Sequence, residues 1–168
     1  MSTTYTANDL LNALAAASKT LGERKEEINR LNVFPVPDGD TGTNMSLTLE
    51  TVVENLARLP IGADGAEIRK AITTGALMGA RGNSGVITSQ ILRGLCEGSV
   101  GHEALDAVSI DAAFSQAVDV AFQAVRKPVE GPILTVLRDS AAAAKRARKK
   151  KLETDEALAA VVTESYAS

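Results

Sequence analysis

The stretch Asn32–Met45 reads NVFPVPDGDTGTNM and carries the most specific information in the chain. Two prolines, two glycines and two aspartates within Asn32–Thr43 predict a loop. Asp38 and Asp40 flank a glycine, so both carboxylates can converge on one hard cation, and magnesium takes one or two carboxylates with water and phosphate oxygens. A plain acidic turn is the alternative for the five residues Asp38–Gly42 (DGDTG). A calcium loop of the EF-hand type is excluded, because Gly42 stands where that loop needs Asp or Asn.

Candidate phosphate donors follow these aspartates and recur in a second glycine-rich segment. Backbone N–H groups that follow glycines and open a helix commonly bind phosphate. The first segment leads into a helix that we predict to begin near Asn44, and the second, Gly79–Gly85 (GARGNSG), opens a helix at about Val86. A simple connector between helices is the alternative for the second segment. The candidate phosphate-binding residues are Thr41, Gly42, Thr43, Asn44, Gly82, Asn83, Ser84 and Gly85.

The remaining polar candidates leave alternatives open. Arg81, in the second segment, could stabilise the charge of a transferred phosphoryl group or cover a protein surface. Lys127 and Glu130 lie in a third segment, Ala124–Val136 (AVRKPVEGPILTV), where a solvated ion pair is an equal alternative. The single histidine, His102, lies outside all three segments and is predicted to be structural or exposed. The sequence therefore offers no obvious general base.

The apolar pattern predicts an all-α chain. Apolar residues recur at i, i+3 and i+4 without a convincing period-two alternation. A 45% hydrophobic, alanine-rich composition with 3% aromatic residues agrees, because alanine has the highest helix propensity. We expect a first helix from about Asn8, interrupted or ended by Gly22, and then a short charged helix over Glu23–Leu31. Further helices are predicted from Asn44 to before Pro60, over Glu67–Met78, Val86–Glu97, Ile110–Arg126 and Asp155–Tyr166, and from Pro132 onwards.

Charge and cysteine content limit the function classes. The formal net charge is −3, and the basic run Lys145–Lys151 (KRARKKK) is predicted to be a solvated helix face, with nucleic acid or an acidic partner as the alternative. The single cysteine, Cys96, is predicted to be a buried spacer and cannot form an internal disulfide. No apolar stretch approaches the ~18–20 residues of a membrane span, and the first residues lack signal-peptide order. We therefore expect a cytoplasmic protein.

Three segments together resemble a known family. Asn32–Met45 is similar to the metal-binding loop of the dihydroxyacetone kinase nucleotide-binding (DhaL-type) domains, in particular the version at the N-terminus of the fatty acid kinase ATP-binding subunit. Gly79–Leu95 (GARGNSGVITSQILRGL) and Ala124–Val136 agree in order and spacing, and the resemblance extends over about Leu10–Tyr166. It implies an all-α, antiparallel barrel-like bundle of about seven to eight helices that holds ATP or ADP in loops at one end.

The resemblance also implies the metal ligands. Aspartates of the first loop hold two magnesium ions in such domains, and Asp38 and Asp40 occupy two of those positions. The dihydroxyacetone kinase branch has a third aspartate upstream, whereas the nearest residue here is Asn32, so one or two Mg²⁺ ions are expected. That branch also has His where Thr41 stands. These departures favour the fatty acid kinase side. Pro132 stands where Thr is expected, which removes a hydroxyl contact.

The resulting expectation is a kinase that forms an acyl phosphate, with Asp38, Asp40 and Arg81 as catalytic residues. A fatty carboxylate, with a pKa of about 4–5 by analogy with Glu, is already ionised at neutral pH and needs no general base. A separate fatty-acid-binding protein would present it. The alternatives are a dihydroxyacetone kinase subunit, whose partner holds the sugar, and a non-catalytic nucleotide-binding module. We expect residues 1–168 to form one domain that stops before a last helix and C-terminal segment, and a homodimer is a further expectation.

Overall fold

The computed structural model describes residues 7–33, 37–125 and 131–168. Within these ranges it contains seven α-helices and no strand, which confirms the all-α prediction. None of these helices combines the length and apolar character that a membrane crossing requires. The helices are α1 (Ala7–Leu31), α2 (Thr41–Ala57), α3 (Gly65–Gly79), α4 (Gly82–Gly98), α5 (Ala107–Ala124), α6 (Pro132–Lys149) and α7 (Thr154–Ala167).

Residue contacts divide the chain into two compact units, with the boundary between Leu92 and Arg93, inside α4. In the first unit, α2 packs against both α1 and α3. In the second unit, α6 packs against both α5 and α7. Both glycine-rich segments singled out in the sequence belong to the first unit, so the candidate site can be described within that unit alone.

Small residues allow the helices of each unit to approach closely. In the first unit, a Cβ added to Gly75 of α3 would lie 2.9 Å from the Cα of Val52 in α2, so only glycine fits there. In the second unit, the core is built largely from alanine. This agrees with the low aromatic content, because the core is filled by close helix contact and not by large rings. The buried residues of that core are Ala107, Ile110, Ala143, Ala144, Ala147, Ala157 and Val161.

The first helix is continuous. α1 runs over 25 residues, so the prediction that Gly22 interrupts it, with a separate helix over Glu23–Leu31, is wrong. A glycine inside a helix costs about 1 kcal/mol relative to alanine, and tertiary packing commonly outweighs that cost. Here Gly22 faces α2, where an added Cβ would lie 3.6 Å from Ser46 Oγ. Because α1 continues through Gly22, its C-terminal turns extend to the first loop.

Several helices begin earlier than predicted, among them α3 at Gly65 and α5 at Ala107, and the two that contain the predicted phosphate-binding residues matter most for the site. α2 begins at Thr41 and not near Asn44, and α4 begins at Gly82 and not at Val86. The physical reason is that hydrophobic periodicity reports burial, and the first turns of both helices consist of small and polar residues. Most of the predicted phosphate-binding residues therefore lie in first helical turns and not in loops.

Other sequence predictions are confirmed. Pro132 is the first residue of α6, where its missing N–H group is not needed. Cys96 is buried, and His102 is exposed. In the basic run, Arg146 pairs with Glu164 at 2.8 Å, and Arg148 pairs with Asp111 at 2.8 Å. All six cations of that run are exposed, which agrees with a solvated helix face.

Candidate functional site

The N-termini of α2 and α4 meet in the first unit. Ser84 Oγ, in the first turn of α4, donates to the carbonyl oxygen of Thr41, the first residue of α2, over 3.4 Å. A Cβ added to Gly82 would lie 2.9 Å from Cγ of Asn44. The first N–H groups of a helix have no intrahelical acceptor, and they carry partial positive charge. Two such ends side by side favour an anion. The contacts at Ser84 and Gly82 thus bring together the two segments that the sequence predicts to bind phosphate.

The C-terminal part of α1 supports the start of α2. Asn29 Nδ2 donates to Thr43 Oγ1 over 2.9 Å, and Asn29 Oδ1 accepts from the backbone N–H of Thr43 over 3.1 Å. Gly42 is buried against α1, and a Cβ added to it would lie 2.9 Å from the Cα of Lys25. Asn29 was not identified in the sequence, because nothing in the local pattern reveals a partner 14 positions away.

The two aspartates of the first loop lie on either side of a left-handed glycine. Gly39 has φ +65°, a conformation that glycine adopts without strain. Asp38 is exposed and accepts a hydrogen bond from Asn32 Nδ2 over 2.6 Å. Asp40 is half-buried and is the N-cap residue of α2, yet its side chain makes no capping hydrogen bond.

This donor set fits a magnesium ion in part. Asp38 and Asp40 offer the hard carboxylate oxygens that magnesium prefers. In the described part of the chain, no cluster of three or more His, Cys, Asp or Glu side chains could hold a metal. The remaining ligands would therefore be water and phosphate oxygens, as is usual for magnesium. Asn32 presents its amide nitrogen to Asp38, so its role as a ligand stays a prediction.

Asn44 and Thr48 connect α2 to the ends of α3 and α4. Thr48 is fully buried, and its hydroxyl lies 2.7 Å from the carbonyl oxygen of Asn44 and 3.3 Å from that of Gly79. A Cβ on Gly85 would lie 2.7 Å from Thr48 Oγ1. Asn44 is itself buried, beneath Gly82. Its predicted role as a direct phosphate donor stays a prediction, while its observed contacts are structural.

Arg81 lies between α3 and α4 and is exposed. Its Nη1 donates to the carbonyl oxygens of Met78 and Ala80, each over 3.0 Å. A cation beside the C-terminus of α3 is favoured by the helix dipole. The surface role proposed from the sequence therefore has a geometric basis, and the phosphoryl-stabilising role stays a prediction. The predictions for Lys127 and Glu130 concern residues outside the described ranges.

Comparisons with known proteins match most of the chain. A family model described as the DAK2 domain matches residues 35–168. The chain is 46% identical to an uncharacterized protein of Staphylococcus haemolyticus over 142 residues, which cover 83% of this chain and 24% of that protein. It is 40% identical to protein YloV of Bacillus subtilis over 155 residues, which cover 92% of this chain and 28% of YloV. The chain thus spans about a quarter of the length of these relatives.

Proposed function

The chain belongs to the DAK2 domain family, and from this premise we propose that it is the nucleotide-binding part of a kinase that phosphorylates the carboxylate of a fatty acid. DAK2 domains are nucleotide-binding domains of the dihydroxyacetone kinase type. The family binds ADP or ATP and works with a substrate-binding partner. The fatty acid, the magnesium ion and the identity of the partner are the proposed refinements.

The meeting of two helix N-termini is the observation that most supports nucleotide binding. The N–H groups of Thr41 and Gly42, in the first turn of α2, have no acceptor within the helix. The first turn of α4 is hydrogen-bonded to this turn through Ser84. A triphosphate carries several negative charges in a row, which suits two adjacent dipole ends better than one. In the proposal, Gly82, Asn83, Ser84 and Gly85 surround the phosphates from the side of α4.

The cation would be held by the first loop. Asp38 and Asp40 are the proposed ligands of one magnesium ion, and Asn32 would supply a further oxygen after a turn of its amide. Bound magnesium neutralises phosphate charge and orients the phosphates for transfer. The protein residues keep the two carboxylates and the α2 N–H groups on one side of the nucleotide, so that charge neutralisation and positioning act at the same phosphates.

A carboxylate acceptor fits the residues available. Among the described residues His102 is the single histidine; it is exposed and belongs to the second unit, whereas the candidate site belongs to the first. A hydroxyl acceptor would need a general base, whereas a carboxylate is already a nucleophile at neutral pH. We propose that a cytoplasmic fatty-acid-binding partner presents this carboxylate to the site.

Calorimetric titration tests the nucleotide site. A non-hydrolysable ATP analogue would be titrated with magnesium and with chelator into the chain and into the Asp38→Asn/Asp40→Asn variant. We expect magnesium-dependent binding that weakens at least about 100-fold in the variant, because both metal ligands lose their charge. The matched control is Asp64→Asn/Asp106→Asn, which changes two aspartates at the starts of α3 and α5 and should bind normally. Equal binding with chelator and magnesium would contradict the proposed metal site.

The acceptor needs a separate experiment. Phosphoryl transfer would be followed by phosphorus NMR with a fatty-acid-loaded partner and, in parallel, with a dihydroxyacetone-loaded partner. An acyl phosphate signal only with the first partner is the expected result. Transfer only to dihydroxyacetone would establish the alternative kinase. Nucleotide binding without transfer to either acceptor would identify a non-catalytic module.

A further inference from the structure

Among the described helices, α2, α3 and α5 each begin directly after an aspartate, and the aspartate before α2 differs from the other two in its hydrogen bonds. Asp64 accepts from the backbone N–H of Glu67 over 2.8 Å, and Asp106 accepts from that of Ser109 over 2.8 Å. Both therefore cap the third residue of their own helix, α3 and α5, as N-cap aspartates usually do. Asp40 stands at the same position before α2 but makes no such bond.

The bond that Asp40 would make is made by another helix. The third residue of α2 is Thr43, and its N–H is accepted by Asn29 Oδ1 of α1 over 3.1 Å. Asn29 also donates to Thr43 Oγ1 over 2.9 Å, so both groups of its amide are used on one residue. The cap of α2 is thus supplied from a different element, and the carboxylate of its own N-cap residue is left out of it.

We propose that Asn29 is a positioning residue that caps α2 in place of Asp40 and so keeps the Asp40 carboxylate available for the cation. This rests on the proposed function, in which Asp40 is a magnesium ligand. Without Asn29, the Thr43 N–H loses its observed acceptor. Asp40 can take over as the cap once its ψ changes from 1° to the extended values of 171° and 179° seen at Asp64 and Asp106. A carboxylate turned towards the helix in this way leaves the loop and is lost as a ligand.

A purely structural role for Asn29 makes a different prediction. If Asn29 only ties α1 to α2, its removal would weaken the fold and would act independently of Asp40. If it acts through Asp40, its removal changes cation-dependent binding only while Asp40 is present. The two accounts are separated by a double-mutant cycle, because residues that act through one another are not additive.

The first measurement needs no ligand. Hydrogen exchange of the Thr43 amide would be followed by NMR in the chain and in the Asn29→Ala, Asp40→Ala and doubly substituted variants. We expect Asn29→Ala to keep protection within about threefold, because Asp40 takes over as the cap, and the double variant to lose about tenfold more. Equal protection in Asn29→Ala and in the double variant would show that Asp40 does not replace Asn29, and would overturn the proposal.

The second measurement uses the ATP analogue with magnesium and with chelator. Asn29→Ala should weaken magnesium-dependent binding about tenfold, the usual size of an outer-sphere effect, and leave the binding seen with chelator unchanged. In the Asp40→Ala background, Asn29→Ala should have no further effect. The matched control is Asn55→Ala, which removes a half-buried amide that donates to the carbonyl oxygen of Ala71 and joins α2 to α3. It should leave both affinities unchanged.

The failures of the two proposals are distinguishable. Absence of magnesium-dependent binding in the unaltered chain would overturn the proposed function, and with it the role given to Asp40. Normal binding in the unaltered chain together with an unchanged affinity in Asn29→Ala would overturn only the role of Asn29. An equal loss in the presence and absence of Asp40 would assign Asn29 a structural role and would also overturn it.

Discussion

The start of α2 and the start of α3 have the same residue type at the N-cap and differ in what surrounds it. At α3, Asp64 and Glu67 form a reciprocal capping box, with Glu67 Oε2 accepting from the Asp64 N–H over 2.9 Å. At α2, the cap comes from Asn29 of α1, and Asp40 makes no capping bond. The two aspartates also differ in backbone conformation, because ψ is 171° at Asp64 and 1° at Asp40, and the extended value is the one that capping requires. The first arrangement contributes to stability, and the second leaves a carboxylate beside two helix N-termini.

The largest expected effect is that substitution of Asp40 weakens nucleotide binding but hardly changes stability, whereas substitution of Asp64 does the opposite. Asp40→Ala should weaken magnesium-dependent nucleotide binding at least about 100-fold and change the free energy of unfolding by less than about 0.5 kcal/mol. Asp64→Ala should leave binding intact and cost about 1 kcal/mol of stability, because it removes a cap. Calorimetry and urea denaturation on both variants measure the four values. A loss of stability in Asp40→Ala as large as that in Asp64→Ala would abolish the contrast.

The next effect concerns the start of α4. Gly82 has φ +59°, and an added Cβ would also press against Asn44, whereas Gly62 has φ +87° with nothing within 4 Å of such a Cβ. Gly62→Ala should cost about 1 kcal/mol through backbone strain alone. Gly82→Ala should cost about 2–3 kcal/mol, because overpacking adds to the strain. Thermal unfolding followed by circular dichroism gives the melting temperatures of the two variants. Equal melting temperatures would show that Asn44 can move aside without a loss of stability.

A smaller effect is expected at Thr48, which connects α2 to the ends of α3 and α4. Thr48→Val preserves shape but removes the hydroxyl that lies between the carbonyl oxygens of Asn44 and Gly79, at a cost of about 1–2 kcal/mol. Thr51→Val is the matched change one turn further on, where the hydroxyl makes an exposed hydrogen bond to the Leu47 carbonyl over 3.0 Å. It should cost less than about 0.5 kcal/mol. Similar midpoints in urea for the two variants would argue that the Thr48 bonds have no special weight.

The smallest effect concerns Glu97 in the second unit, a carboxylate that accepts hydrogen bonds from Arg93 and Gln116. The hydrogen bond from Arg93 lowers the pKa of Glu97 below 4.5, and a second bond from Gln116 lowers it further, whereas burial acts in the opposite direction. A lowered folded-state pKa means that the stabilisation is present above pH 4.5 and is lost as the pH falls through the folded value. Because Glu97 is well exposed, we expect about 0.5 kcal/mol or less. Stability curves between about pH 5 and 3 should be flatter in Glu97→Gln, and parallel curves would contradict this.

The sequence predicted the fold class and most helices, because apolar spacing at i, i+3 and i+4 is a local property. It missed the starts of α2 and α4, since the first turns there, from Thr41 and from Gly82, bury small polar groups that leave no apolar period. The sequence wrongly predicted a break in α1 at Gly22, because a glycine indicates a helix end unless the packing of the facing helix is known. In each case the missing information was a tertiary neighbour.

The candidate site could be proposed from the sequence, but the residues that support it could not. Asp38 and Asp40 were selected because their spacing and composition point to a cation, and their role as ligands stays a prediction. Asn29 and Thr48 were missed, since their partners lie 14 and 31 positions away in the sequence. Thr48 left one usable signal, a hydroxyl residue on the apolar face of α2, where it is fully buried. Asn29 left none, because its role exists only once α1 and α2 are packed together.

Gly42 has a consequence for how this segment tolerates substitution. Any side chain there would have to separate α1 from α2, since even a Cβ would lie 2.9 Å from the Cα of Lys25. Under the proposed function, residues 40 and 42 are therefore constrained for unrelated reasons, residue 40 by ligand chemistry and residue 42 by helix separation. A saturation screen for activity alone would score both positions as equally intolerant. A parallel screen for protein abundance would separate them, with variants at 40 abundant and variants at 42 depleted.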